Sequence, residues 1–223
     1  MKDATLKPSV VYPDSDGMPM ADNTVQLEMI TKIKEGIDLA VRGRDDVFVG
    51  GDLLWYYAEG DPKSRIAPDV MIAFGRPPGA RSSYLQWEEG GVAPQFVIEV
   101  LSPSNSPTEM ARKRAIYESL GVLEYLEIEP EREELRAWSR VGGRLVEQRV
   151  RGEWVSSRVG LRIDTRAGLA FRMPDGAVFQ KPSEWIARER QRADAERQRA
   201  DAERQRADEL ARQLDELRQR SRA

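Results

Sequence analysis

Apolar residues near the start of the chain recur at helical spacing. They lie three and four positions apart, which is the pattern of an amphipathic helix with one buried face. Asp22 or Asn23 precedes this pattern and suits a helix cap, so we predict a helix that runs to about Arg42. The predicted buried stripe consists of Val25, Met29, Ile30, Ile33, Ile37 and Val41.

The middle of the chain carries short apolar runs between turn residues, a pattern that indicates strands. We predict strands at 47–49, 53–57, 70–74, 95–101, 123–128, 134–139 and 144–150, with short ones near 161–163 and 169–172. A second helix is predicted at 108–120, because Gly121 suits its C-terminal cap. The run at 95–101 is apolar on both faces apart from Glu99, which indicates a central strand.

The end of the chain differs in kind, because a seven-residue unit repeats there. From Arg190 the sequence reads RQRADAE, RQRADAE and RQRADEL. One heptad position holds Ala193, Ala200, Ala207 and Leu214, and the position three residues later holds Glu196, Glu203, Leu210 and Leu217. Two interpretations are open: a charged, solvated helix, and a weak coiled coil that dimerises through its leucine-bearing end. We therefore predict a folded domain at 1–182 and a charged helix at 183–223.

Composition narrows the chemistry that this chain can perform. Its 223 residues include no Cys and no His, which excludes disulfides, thiol nucleophiles, imidazole bases and Cys- or His-ligated zinc. Any metal must have oxygen ligands, which points to Mg²⁺ or Mn²⁺. The formal charge of −3 argues against strong nonspecific binding of nucleic acid. No run approaches the roughly 20 apolar residues of a membrane helix, and the start is unlike a signal peptide, so we expect a cytoplasmic protein.

Two carboxylates stand on otherwise apolar strands. Asp69 begins one strand, Glu99 lies near the end of another, and Lys113 follows on the second helix. A buried carboxylate is unfavourable unless it is paired or holds a metal, so two neighbouring strands would offer a site for one divalent cation. A nearby Lys can orient a metal-bound water or stabilise a phosphorane-like transition state. The structural alternative is that Asp69 caps the turn after Pro68 and that Glu99 pairs with an Arg.

Several segments of the chain, taken in order, resemble the Uma-type domain of bacterial restriction endonucleases, a family of the PD-(D/E)xK nuclease superfamily. The resemblance covers about residues 9 to 180. The segments are YP at 12–13, DGMPM at 16–20, DVFV at 46–49, RIAPDV at 65–70, PQFVIEVLSPS at 94–104, Lys113 with Tyr117, and GVLEY at 121–125. It implies an α/β, restriction-endonuclease-like core in which a mixed central sheet is flanked by helices.

The resemblance also implies roles for single residues. Asp69 corresponds to the aspartate of the PD half-motif, and Glu99 corresponds to the acidic residue of the ExK half-motif. The lysine position of that half-motif is Leu101 here, so Lys113 is the candidate for the lysine role. Family members usually carry Asp and Thr on the next segment, where this chain has Glu109 and Asn105.

Other polar and aromatic residues have both a functional and a structural interpretation. Glu28 is a candidate third metal ligand, since related nucleases often place an acid on the first helix, although a solvated position is slightly favoured. Asp52 is expected to be a turn former and Tyr117 a packing partner of Lys113. Base stacking by Trp55, Tyr56, Tyr57 and Trp87 is less expected than packing, and Arg112 and Arg114 are either phosphate contacts or solvated.

The predicted function is Mg²⁺- or Mn²⁺-dependent hydrolysis of DNA phosphodiester bonds, and we expect the enzyme to be a homodimer. Asp69 and Glu99 would bind the ion, and Lys113 would position or activate the attacking water. The alternative is a nuclease-like fold that no longer cuts and acts as a DNA-binding or assembly module through its helical tail.

Overall fold

The computed structural model describes residues 10–17, 19–176, 178–179 and 182–220, and in the last helix the side chains of 186, 187 and 189–207. The described residues form three helices: α1 (Thr24–Ala40), α2 (Pro107–Leu120) and α3 (Pro182–Arg220). The strands are β1 (Val47–Gly51), β2 (Trp55–Tyr56), β3 (Arg65–Ile66), β4 (Val70–Phe74), β5 (Tyr84–Leu85), β6 (Phe96–Val100), β7 (Glu124–Glu129), β8 (Glu134–Val141), β9 (Arg144–Gln148), β10 (Glu153–Val155), β11 (Arg162–Asp164) and β12 (Ala170–Arg172).

A mixed six-stranded sheet organises the fold, with strand order β1-β4-β6-β7-β8-β9. The pairing of β6 with β7 is parallel, and every other neighbouring pair in this sheet is antiparallel. Two three-stranded sheets, β3-β2-β5 and β10-β11-β12, complete the domain. The prediction of an α/β fold with a mixed central sheet flanked by helices is therefore confirmed.

Hydrophobic cores cover both faces of the central sheet. One core joins α1 and β10–β12 to the face that carries Ile72 and Ile98. The other joins α2 and the β3-β2-β5 sheet to the opposite face, which carries Met71 and Val97. Because side chains alternate between the faces of a strand, Asp69 and Glu99 belong to the face that α2 covers.

The local signals for the helix ends and for one hairpin are confirmed. The side chain of Asn23 accepts a hydrogen bond from Gln26 N–H and caps α1. Gly121 ends α2 in the left-handed conformation at a φ of 90°. Gly142 and Gly143 join β8 to β9 with φ values of 56° and 84°, which is the backbone of a two-residue hairpin loop.

One position on the predicted stripe of α1 differs from expectation. Ile30, Ile33 and Ile37 are buried as predicted, whereas Val25 is 45% exposed and Gln26 beside it is buried. An amide replaces the apolar residue in the interior because a backbone carbonyl of β6 needs a donor there, as described below. β3, β5 and β10 were not predicted, because each spans only two or three residues and depends on partners elsewhere in the chain.

The chain divides into two compact units, Met1–Phe179 and Gln180–Ala223. α3 forms the described part of the second unit, and its described side chains from 186 to 207 are exposed. The side chains of the predicted leucine stripe lie outside the described ones, so the coiled coil stays a prediction. Within the described part of the chain, no helix is both long and apolar enough to cross a membrane.

Candidate active site

The register of the sheet brings the two predicted carboxylates together. β4 and β6 are antiparallel, with Val70 opposite Ile98. Continued by one residue, this register places Asp69 opposite Glu99 on the face covered by α2. Directly opposed residues of antiparallel strands have Cβ atoms about 4.5–5.5 Å apart, so the carboxylates are neighbours.

The same row extends to both sides of this pair. The antiparallel pairing of Gly51 with Val70, continued by one residue, places Asp52 opposite Asp69, and the backbone N–H of Asp52 donates to the carbonyl of Asp69 at 3.1 Å. On the other side, Glu99 is directly opposite Glu127 in the parallel β6–β7 pair. Four carboxylates therefore follow one another across four neighbouring strands.

Helix α2 supplies cations to only one half of this row. Lys113 Nζ lies 2.8 Å from Glu99 Oε2, and the next residue, Arg114, lies 3.1 Å from Glu127 Oε1. Neither Asp52 nor Asp69 has a directly bonded cation among the described residues. The row therefore has a shortage of positive charge at its Asp52–Asp69 end.

Glu99 is held at both of its oxygens. Its side chain is 3% exposed, Oε2 faces Lys113, and Oε1 accepts a 2.5 Å hydrogen bond from the hydroxyl of Tyr117. Burial raises the pKa of Glu99, and Lys113 and Tyr117 oppose that shift. Burial alone would lower the pKa of Lys113, but Glu99 outweighs it and raises the Lys113 pKa above its ordinary value.

Asp69 is partly buried and has one fixed oxygen. Its Oδ2 accepts a 2.6 Å hydrogen bond from the backbone N–H of Val100. Burial raises the pKa of Asp69 well above its ordinary value, and the neighbouring charge of Glu99 raises it further. Burial and the charge of Asp16 likewise raise the pKa of Asp52. Both shifts mean that this end of the row favours protons or another cation.

A cavity of about 380 Å³ opens onto the row. Its lining includes six carboxylates and three cationic side chains, so it has an excess of negative charge. The carboxylates are Asp16, Asp22, Asp52, Asp69, Glu99 and Glu109, and the cations are Arg65, Arg112 and Lys113. An anionic substrate would enter such a cavity only if added cations offset this charge.

The arrangement suits a hard divalent cation that keeps part of its hydration shell. The described residues include no group of three or more Asp or Glu side chains close enough to hold a metal on their own. Two neighbouring carboxylates are nevertheless sufficient for Mg²⁺, which commonly binds one or two carboxylates and takes waters or substrate phosphates for the rest. Asp69 and Glu99 fit this requirement.

Of the four predicted site residues, the structure brings together Asp69, Glu99 and Lys113, which all line the cavity. Glu28 is exposed and is not among the residues that line this cavity, so the structure does not bring it together with the other three. Glu28 lies two positions after Gln26, and side chains two positions apart on a helix point to nearly opposite sides. Gln26 is the residue of α1 that faces the cavity.

The hydrogen-bond partners of Asp69 and Glu99 decide between the functional and structural interpretations of where these side chains point. Asp69 accepts the N–H of Val100 from the adjacent strand and does not cap the turn after Pro68. Glu99 pairs with Lys113, whereas Arg114 binds Glu127. Glu99 is therefore part of an ion pair, as the structural alternative predicts. Its partner is not an Arg but Lys113, the residue to which the family resemblance gives a catalytic role.

Two residues have larger roles than the sequence indicated. Tyr117 is fully buried and stacks near Trp55 as a packing residue, with ring centroids 6.3 Å apart, but its hydroxyl also binds Glu99. The available signal was its position four residues after Lys113, which places both on one face of α2. Asp52 does turn the chain, with a φ of 44°, and it also lines the cavity.

The aromatic residues serve mainly as core. Trp55 and Tyr56 are completely buried, which confirms packing for these two, and Tyr57 and Trp87 are partly buried. Trp87 contacts Tyr12, with ring centroids 4.9 Å apart. Of the two arginines beside Lys113, Arg112 is exposed at the cavity and Arg114 is held between Glu127 and the Trp138 ring.

Comparisons with known proteins identify related chains. Residues 16–166 match the Uma2 family, whose description reads "Putative restriction endonuclease". One similar solved structure, titled a "putative nuclease belonging to DUF820", comes from Anabaena variabilis ATCC 29413. It has 16% sequence identity and a TM-score of 0.42, and the match covers 55% of this chain and 64% of that one, less than two thirds of its length. No curated protein matches significantly.

Proposed function

The chain belongs to the Uma2 family, and from that premise we propose that it is a Mg²⁺- or Mn²⁺-dependent endonuclease that hydrolyses DNA phosphodiester bonds. The observation that carries this proposal is the pair of neighbouring carboxylates, Asp69 and Glu99, with Lys113 bound to Glu99 in an acidic cavity. Family membership supports the nuclease class, and the donor set of this cavity supports the choice of metal.

Asp69 and Glu99 would hold the ion, which would supply Lewis-acid polarisation of a phosphoryl oxygen and a more acidic water. The chain's own contribution is to fix these two oxygen donors before substrate arrives. Tyr117 and Lys113 restrain Glu99, and the N–H of Val100 restrains Asp69. Preorganised groups of this kind need no reorganisation during the reaction.

Lys113 is assigned an electrostatic role in this mechanism. Because its pKa is raised, its ammonium group stays protonated at neutral pH and is a poor general base. It can donate hydrogen bonds to the attacking water or to the phosphoryl oxygens, on which negative charge increases in the transition state. Arg112, exposed at the cavity, is placed to contact a phosphate of the bound strand.

A second candidate function is a nuclease-like fold that binds DNA or assembles with partners without cutting. The observation in its favour is that Glu99 already has a hydrogen-bond donor at each oxygen, from Lys113 and Tyr117. A carboxylate satisfied in this way can serve as a purely structural ion pair.

Metal binding and DNA nicking, measured together, separate the two candidates. We expect millimolar Mg²⁺ or Mn²⁺ to raise the melting temperature and to support nicking of supercoiled DNA. Glu99→Gln and Asp69→Asn are expected to remove both effects, whereas Asp164→Asn, at a partly buried carboxylate outside the cavity that binds Arg166, retains them. A wild-type chain that shows neither effect would leave the non-cutting module as the better description.

We also propose that the folded domain at 1–182 is the nuclease unit and that 183–223 joins two chains into a homodimer. A nuclease that cuts duplex DNA has two strands to cleave, which gives a paired enzyme a use. In the charged heptads, the described side chains from 190 to 207 include no Leu, Ile or Val, so their burial against a partner would contribute little. The leucine-bearing end is therefore the proposed contact.

A further inference from the structure

A buried amide at the cavity has no part in the mechanism above. Gln26, in the first turn of α1, is only 7% exposed. Its Nε2 donates to the carbonyl of Val100 at 2.7 Å, and its Oε1 accepts the backbone N–H of Asp22 at 2.8 Å. A carbonyl can only accept and an N–H can only donate, so these partners permit one orientation of the amide.

The pattern of backbone bonds explains why Val100 needs this donor. The N–H of Leu101 donates to Ile128 in β7, so the N–H and C=O of Val100 point the other way, towards β4. Continued by two residues, the β4–β6 register places Pro68 opposite Val100. Proline has no N–H, so β4 offers no donor to the Val100 carbonyl. The amide of Gln26 supplies it.

The same residue of β6 also restrains the candidate metal ligand. The N–H of Val100 donates to Asp69 Oδ2 at 2.6 Å. Within the described part of the chain, Oδ1 of Asp69 accepts no hydrogen bond. Val100 is therefore bound at its carbonyl by Gln26 and at its N–H by Asp69. Its position determines which oxygen of Asp69 is occupied.

A second contact ties the start of α1 to the segment that follows β6. The carboxylate of Asp22 accepts the hydroxyl of Ser102 at 2.6 Å and also that of Ser104. Ser102 is buried, and its N–H donates to the side chain of Asn105 at 2.9 Å. These bonds tie the residue before the cap of α1 to the segment that follows β6.

We propose that Gln26 is a positioning residue for Asp69, because it replaces the backbone donor that Pro68 lacks and holds Val100 where its N–H fixes Asp69 Oδ2. The other oxygen is thereby left for a cation. This inference rests on the proposed nuclease function, in which Asp69 is a metal ligand. Gln26 itself is not a catalytic residue, since it acts through Val100.

The test is Gln26→Met, an apolar replacement of similar length, in the full chain. Hydrogen exchange of the Val100 amide, followed by NMR, reports whether Gln26 holds Val100 in place. Calorimetry with Mn²⁺ reports the effect on metal affinity. We expect Val100 exchange to quicken by about tenfold relative to the Ile98 amide, which bonds elsewhere in the ladder, and Mn²⁺ affinity to fall by about tenfold, as expected for one lost hydrogen bond. Gln26→Leu is measured as well, so that the result does not depend on the folding of one variant.

Ser156→Ala is the matched control, because it removes a buried hydroxyl that donates to Glu124 at 2.5 Å, away from the cavity. It should leave both readouts unchanged relative to wild type. Equal quickening of the Val100 and Ile98 amides, or a loss of Mn²⁺ affinity no larger than that of the control, would overturn the role of Gln26. A wild-type chain that binds no Mn²⁺ would defeat the nuclease proposal instead, and the Val100 amide would still decide whether Gln26 holds this link.

Discussion

The carboxylate row predicts that Asp69, a candidate metal ligand, lowers the free energy of unfolding of the metal-free protein. Asp69 is partly buried beside Glu99 with no directly bonded cation among the described residues, and its pKa is raised. The substitution Asp69→Asn keeps the shape of the side chain and retains an oxygen that can accept the N–H of Val100. We therefore expect this variant to be more stable than the wild type at pH 8 without divalent ions.

The size and the pH dependence of this gain follow from the burial of the charge. An imperfectly compensated buried polar group costs about 1–3 kcal/mol in mutational data, and each unit of raised pKa corresponds to about 1.4 kcal/mol. Because the folded pKa of Asp69 lies above its unfolded value, the wild type loses stability as the pH rises from about 4 through the folded pKa. The gain from Asp69→Asn should therefore be near zero at pH 4 and largest at pH 8.

Thermal unfolding at pH 4, 6 and 8, with and without Mg²⁺, measures both effects. A gain of 1 kcal/mol corresponds to about 2–4 °C in melting temperature for a domain of this size. Mg²⁺ should reverse the order at pH 8, because a ligand at 100 times its Kd stabilises the form that binds it by about 2.7 kcal/mol. Asp46→Asn is the control, since Arg44 holds the pKa of Asp46 below its ordinary value and that substitution should lower stability at pH 8.

Two results would refute the reasoning. The first is an Asp69→Asn variant that is no more stable than the wild type at pH 8 in the absence of divalent ions. The second is an equal rise in melting temperature for both chains when Mg²⁺ is added. The first would mean that the carboxylate is better compensated than its surroundings indicate, and the second that the ion binds elsewhere.

Three further predictions follow from the same cavity and from the tail. Lys113→Met should lower DNA nicking about 10²–10³-fold, the usual effect of removing one transition-state donor, while Mn²⁺ affinity by calorimetry changes little; unchanged nicking would remove Lys113 from the mechanism. Tyr117→Phe leaves an oxygen of buried Glu99 without its hydrogen-bond donor. Thermal unfolding should therefore show a free energy of unfolding lower by about 1–3 kcal/mol, with a larger loss at pH 8 than at pH 5. Tyr84→Phe, which breaks a hydrogen bond to a neutral carbonyl, should show no such pH dependence. Sedimentation should find a concentration-dependent dimer for the full chain and a folded monomer for a chain ended after Ile186; equal association of both would rule out the tail as the contact.

Much of the local structure could be predicted from the sequence alone. The two helices of the domain, the β8–β9 hairpin and the central position of β6 depend on spacing and turn chemistry that neighbouring residues carry themselves. The heptad repeat likewise predicts a long helix, because its side chains interact three and four positions apart. Asp69, Glu99 and Lys113 stood out because a charge on an apolar strand needs a partner, and the family resemblance suggested their roles.

Tertiary structure decided which of these groups meet. The neighbourhood of Asp69 and Glu99 depends on the antiparallel β4–β6 register, and that of Asp52 depends on a further strand pair, which no local pattern encodes. Gln26, and not Glu28, is the residue of α1 that lines the cavity, where it donates to the Val100 carbonyl opposite Pro68. The need for that donor arises only once β4 and β6 are paired. Local periodicity determines which residues form an element, whereas the unsatisfied hydrogen bonds and charges left between elements determine which polar residues are buried with them.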